Sequence, residues 1–113
     1  MKSEVELAWA AGFFDGEGSV SKIRRGVIAS VSQADVRPLQ RLLDAVGEGR
    51  LHGPYVGEDR TTMYVYRANG QAALRVLARL WPYLCEPKRE QAMAVLAVTN
   101  EARDGLVELV LPI

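Results

Sequence analysis

Cysteine, histidine and net charge are all scarce in this chain, and each scarcity narrows what the protein can be. A single cysteine, Cys85, cannot close an internal disulfide, and with one histidine, His52, there is no Cys/His cluster of the kind that holds zinc. The simplest reading of Cys85 is a small core or boundary residue. Lys and Arg number 14 and Asp and Glu also 14, so the overall basic excess usual in a nucleic-acid binder is missing. No apolar run is long enough to span a bilayer. In the N-terminal segment MKSEVELAWAAGFF, Glu4 and Glu6 interrupt what a secretory signal would need as an apolar stretch. An intracellular location and no membrane partner are therefore expected.

What remains is a globular composition. With 49% hydrophobic and 25% charged residues over 113 positions, the chain can bury a core as one domain, residues 1–113, but has no room for a second catalytic domain beside it. The pattern reads as an α+β domain of order αββαββα with a helical tail. Residues 4–15 hold alanines and large apolars with acids only at the start, a helix that Gly16 and Gly18 are expected to end. Two β-branched runs, 20–23 and 27–31, flank Arg24, Arg25 and Gly26 in a hairpin whose glycine is expected to take positive φ. Asp35 can cap a helix over 36–46 with Leu39, Leu42, Leu43 and Val46 on one face, stopped by Gly47 and Gly49. A second hairpin pairs 50–56 with 62–68 around Gly57, Glu58, Asp59 and Arg60. Asn69 is expected to cap a third helix that ends before Pro82, and a last helix spans 87–100. The apolar tail LVELVLPI either folds back or meets another chain.

The segment from Trp9 to Val20 carries the most information. Ala8, Gly12 and Gly16 recur every four residues with Ala11 and Asp15 beside them, leaving one stripe of the first helix nearly bare of side chains. A bare stripe allows close approach, either by a neighbouring element or by another chain. Glu17 follows between two glycines, where the last carbonyls of the helix point outward. A carboxylate beside free carbonyls, that of Gly16 among them, suits a hard cation such as Mg²⁺.

Residues 10–18, AAGFFDGEG, resemble the LAGLIDADG signature, and the chain from 5 to about 99 resembles the single-motif members of the LAGLIDADG homing endonuclease family. It departs by Ala10 where leucine is usual and by Glu17 where aspartate is common, at the position of the family's acidic metal ligand. Val31-Ser32-Gln33 resembles the segment whose glutamine lies in the family's active site. Pro82-Tyr83-Leu84 followed by Lys88-Arg89-Glu90-Gln91-Ala92 resembles the segment whose lysine approaches the scissile phosphate. Arg37 falls where some members place a further basic residue. Taken alone, Gln33 is a polar strand end and Lys88 a solvated first-turn lysine.

The resemblance implies an antiparallel four-stranded sheet with helices on one face and a concave DNA-binding face on the other. It implies Glu17, Gln33 and Lys88 as catalytic residues and Glu17 with Gly16 as ligands for Mg²⁺, for which Mn²⁺ or Ca²⁺ can substitute in binding. It also implies a homodimer packed through Ala8, Ala11, Gly12, Asp15 and Gly16, cutting double-stranded DNA at a pseudo-palindromic site to leave staggered 3′ overhangs, with no small-molecule substrate. Such enzymes are typically encoded in mobile introns or inteins.

A neutral chain can still bind phosphates if its cations share a face. Strand period two puts Ser19, Ser21, Ile23 and Arg25 together, Ser30 with Ile28, Arg50 with His52, and Arg67 with Met63 and Val65. Ser21, Lys22, Arg24, Arg25, Ser30, Arg37, Arg50, His52 and Arg67 are the expected DNA contacts. Tyr64, Tyr66, Trp81 and Tyr83 have the spacing and apolar neighbours of core residues rather than of a base-stacking platform. Two rivals stay open: a non-cleaving DNA- or RNA-binding protein of the same fold, such as a maturase or regulator, and an interaction module that merely dimerises.

Overall fold

The computed structural model describes residues 3–24 and 26–112, so Arg25 lies outside the described residues. The chain runs α1 (Glu4–Glu17), β1 (Gly18–Ile23), β2 (Gly26–Gln33), α2 (Val36–Val46), β3 (Arg50–Val56), β4 (Thr62–Asn69), α3 (Gln71–Leu80), a 3-10 turn (Trp81–Tyr83), α4 (Glu86–Leu96), α5 (Asn100–Arg103) and α6 (Leu106–Val110). The expected αββαββα order is present. The strands form one antiparallel four-stranded sheet in the order β1-β2-β4-β3.

Local chemistry accounts for most boundaries. The Ser3 hydroxyl accepts the Glu6 N–H at 3.1 Å and starts α1. The helix continues through Gly16 and Glu17 instead of ending at Asp15, because glycine weakens a helix without forbidding it and the Gly18 N–H still reaches the Phe14 carbonyl. Asp35 caps α2 by accepting the Arg37 N–H at 2.9 Å, and Gly47 at φ 76° closes it onto the Leu43 carbonyl.

Three local expectations need correction. In the first hairpin Arg24 is left-handed, at φ 57°, and Gly26 is not. Asn69 remains a strand residue paired with Ile28, and Gly70 at φ 59° precedes α3 without a side-chain cap. The helix over 87–100 stops at Leu96, because the Thr99 hydroxyl and N–H both donate to the Leu96 carbonyl, at 2.7 and 3.1 Å.

One side of the sheet, through Val20, Val27, Ala29, Val31, Tyr66 and Ala68, meets Ala10, Ala11 and Phe14 of α1, Leu39, Leu42 and Val46 of α2, and Leu74, Leu77 and Leu80 of α3, all buried. Each large apolar side chain removed from water there contributes about 1.5–3 kcal/mol. Tyr66 and Trp81 are buried, and Tyr64 and Tyr83 pack against the same core. The tail folds back: α6 packs against α3, and Val107 and Leu111 are buried. Among the described residues, no helix is long and apolar enough to cross a membrane.

Candidate functional site

Glu17 is the last residue of α1, at the point where the helix feeds directly into β1. The buried ring of Phe14 anchors this turn, and a Cβ at Gly18 would lie 2.3 Å from it, so only glycine lets the strand leave the helix so tightly. Gln33, at the end of the neighbouring strand, donates from Nε2 to Glu17 Oε2 at 3.2 Å. Lys88, in the first turn of α4, donates from Nζ to the Gly18 carbonyl at 2.7 Å and lies 5.7 Å from the centre of the Phe14 ring. The three residues expected from three distant parts of the chain thus meet at one end of the sheet.

Two further residues complete this corner. Gln91 Oε1 accepts both the Lys88 ammonium at 3.3 Å and the Val20 N–H at 3.4 Å, tying α4 to β1. Its only sequence signal was its place one helical turn after Lys88. Asp15 accepts the Cys85 N–H through both carboxylate oxygens at 3.1 Å, and so docks the start of α4 on α1. Cys85 is exposed, contrary to the core or boundary expectation. The Asp15 carboxylate beside it raises its thiol pKa, which keeps it from being a reactive thiolate. Asp15, Cys85, Pro87, Lys88 and Gln91 line a hollow of about 250 Å³ beside Glu17's turn.

The small-residue stripe divides in two. Ala8, Gly12 and Gly16 are exposed, with nothing within 4 Å of a Cβ placed at either glycine. Ala11 is fully buried in this chain's own core, because it shares the inward face of α1 with Ala10 and Phe14. Asp15 is committed to Cys85. The exposed part of the stripe is therefore Ala8, Gly12 and Gly16, continued at one end by Val5, which is 75% exposed.

Charge is sorted between the two sides of the sheet. On the helical side Arg41 pairs with Glu6 at 2.9 Å, and Arg75 and Arg79 pair with Glu48 at 2.7 and 2.8 Å. Arg75 first, and then Arg79, hold the Glu48 carboxyl below its ordinary value against the opposing effect of burial. Such exposed pairs add little stability, yet they cancel charge locally. None of the four strands contains an Asp or Glu, so Arg50 and Arg67 on the open face have no ion-pair partner among the described residues. Ser19, Ser30, Arg67 and Arg50 form one row across all four strands. Ser21 and His52 alternate onto the same face.

Two expected contacts stand elsewhere. Lys22 is exposed but has the parity of buried Val20 and is registered against buried Val27, so the pleat turns it away from the open face. Arg37 lies at the start of α2 and is bound to Asp35, its NH2 at 2.6 Å from Oδ2. That contact, with the N-cap bond, pulls the Asp35 pKa down to about 2. Arg24 marks the tip of the first hairpin.

The LAGLIDADG-like domain matches residues 4–81, more than half of the chain, and the protein belongs to that family. Glu17 and Gln33 fall inside the matched residues and Lys88 beyond them. Among solved structures the chain is similar to an archaeal intron-encoded homing endonuclease, I-Vdi141I, complexed with DNA. The match has a TM-score of 0.63 and 21% identity over 93% of this chain and 70% of that one. At that identity the likeness establishes the fold. No curated protein matches the chain.

Proposed function

We propose that this protein is a site-specific double-stranded DNA endonuclease that works inside cells as a homodimer, cutting a pseudo-palindromic site by divalent-metal-dependent hydrolysis to leave staggered 3′ overhangs. The observation that carries this reading is the junction of Glu17, Gln33 and Lys88 at the end of an exposed stripe of Ala8, Gly12 and Gly16. One chain supplies one such carboxylate. A second copy packed along the stripe brings a second Glu17 to the two-fold axis, so that each strand of the duplex has its own site.

The donor set fits a hard cation. Glu17 is exposed and has one oxygen engaged by Gln33 and one without a hydrogen-bond partner among the described residues, and Gly16 offers a backbone carbonyl in the last turn of the helix. Mg²⁺ held there, or Mn²⁺ or Ca²⁺ in binding, supplies Lewis-acid stabilisation of charge on the phosphate. Gln33 fixes the orientation of the Glu17 carboxylate. The Lys88 ammonium, held one residue away at the Gly18 carbonyl, offsets negative charge as water adds to phosphorus and the bond to the 3′ oxygen breaks. The open sheet face meets the duplex, with side chains on its rows facing the major groove.

Cleavage of a randomised duplex library with Mg²⁺, comparing the wild type with Glu17→Gln, tests this. Staggered cuts at a near-palindrome, reduced at least roughly 10³-fold by Glu17→Gln while DNA binding persists, are the expected result. Salt-sensitive binding to one sequence without cutting by either protein would replace the catalytic claim with a DNA-binding or maturase role.

A further inference from the structure

Arg50 and Arg67 are direct Cα partners in the β3–β4 register. Both are exposed, and the residues beside them, Leu51, Tyr66 and Ala68, turn to the core, so both guanidinium groups leave the sheet on the open face. Like charges opposite one another destabilise an antiparallel pair. Among the described residues no acid offsets this, since no strand carries an Asp or Glu and neither arginine makes an ion pair. With Gly49, His52, Ala68, Asn69 and Ala72, the two arginines line a hollow of about 360 Å³ at the end of the sheet, where β3 begins and β4 ends. The other two residues of their row are Ser19 and Ser30, too short to fill the space beside them.

Two other described arginines near the sheet are placed differently. Arg24 and Arg60 sit at the hairpin tips in left-handed conformations, φ 57° and 67°. A sheet lying in the major groove brings its tips to the sugar-phosphate backbone and its mid-strand side chains to base edges. The edge that suits an arginine fork is that of guanine, where O6 and N7 are both acceptors.

We propose that Arg50 and Arg67 form a guanine-reading pair: two like charges set opposite one another in the sheet register are balanced by the acceptor edge of a guanine in each half-site. This rests on the DNA-binding reading of the open face, and names what that face recognises.

Selection of bound duplexes from a randomised library with Ca²⁺ in place of Mg²⁺, the cation that serves the proposed site in binding, tests it with the wild type and Arg67→Gln. The wild type should enrich guanine at a fixed position of each half-site. Because glutamine pairs with the N6 and N7 of adenine, Arg67→Gln should move the preference there from guanine toward adenine by roughly 10- to 100-fold, with little change in salt dependence. Its melting temperature should be equal or higher, because one of the facing charges is gone. A uniform loss of affinity with the salt slope reduced by about one would make Arg67 a phosphate contact and overturn the proposal. An unchanged site preference would overturn it too, while leaving DNA recognition standing. If the wild type selects no site at all, the DNA-binding reading itself falls.

Discussion

Replacing Gly12 and Gly16 together by alanine should stabilise the isolated chain and weaken the proposed dimer, two effects of opposite sign from one pair of methyl groups. Within the chain each new Cβ meets nothing within 4 Å, so helix propensity decides. Alanine is favoured over glycine by about 1 kcal/mol at an interior helix position and by less in the last turn, where Gly16 lies. A gain of about 1.5 kcal/mol, or roughly 5 °C in melting temperature, follows. In a symmetric dimer packed along this stripe, the same substitutions insert two methyl groups per chain into a close contact. Even at the low end of overpacking penalties, about 1 kcal/mol each, the total of about 4 kcal/mol weakens association roughly 10³-fold. Sedimentation across a concentration series reads the association, and thermal melts at dilutions where the dimer has dissociated read the chain alone. A double variant that assembles like the wild type would show that α1 is not the interface. A dilute variant that melts lower would show that the two glycines are not open in the monomer.

Gly49 should tolerate no side chain. It has φ 105°, and a Cβ there would lie 2.6 Å from the buried Tyr66 ring, so Gly49→Ala combines backbone strain with a clash and should lower stability by about 3 kcal/mol, read by urea or thermal unfolding. Tyr66→Phe tests the same corner by pH. The Tyr66 hydroxyl donates to the Glu48 carbonyl at 2.6 Å, so its loss should cost about 1 kcal/mol at neutral pH. Burial first, and then the Glu48 charge, push the Tyr66 phenol well above its ordinary 10.0. Its contribution is therefore fully present below pH 10 and is lost as pH rises beyond that, because the unfolded chain ionises first. Wild-type stability should fall on the alkaline side and that of Tyr66→Phe should fall less; parallel alkaline limbs in the two proteins would refute this assignment.

What the sequence determined by itself was whatever short-range chemistry controls. The Asp35 cap, the Gly47 stop, the two hairpins and the helix-to-strand turn at Gly18 are set by residues within a few positions of each other, and strand alternation already separated Arg50 and Arg67 from the core. The neutral net charge concealed that the strands hold no acid at all, because composition carries no direction. Tertiary structure alone decided which small residues of α1 are open: Ala8 and Ala11 look alike in sequence, but only Ala11 lies under the sheet. It alone placed Lys88 and Gln91 at β1, a contact across about seventy positions made by docking α4, and left Lys22 and Arg37 off the open face. Contacts at that separation depend on how whole elements pack, and packing is decided by the fit of many side chains at once, which no local pattern encodes.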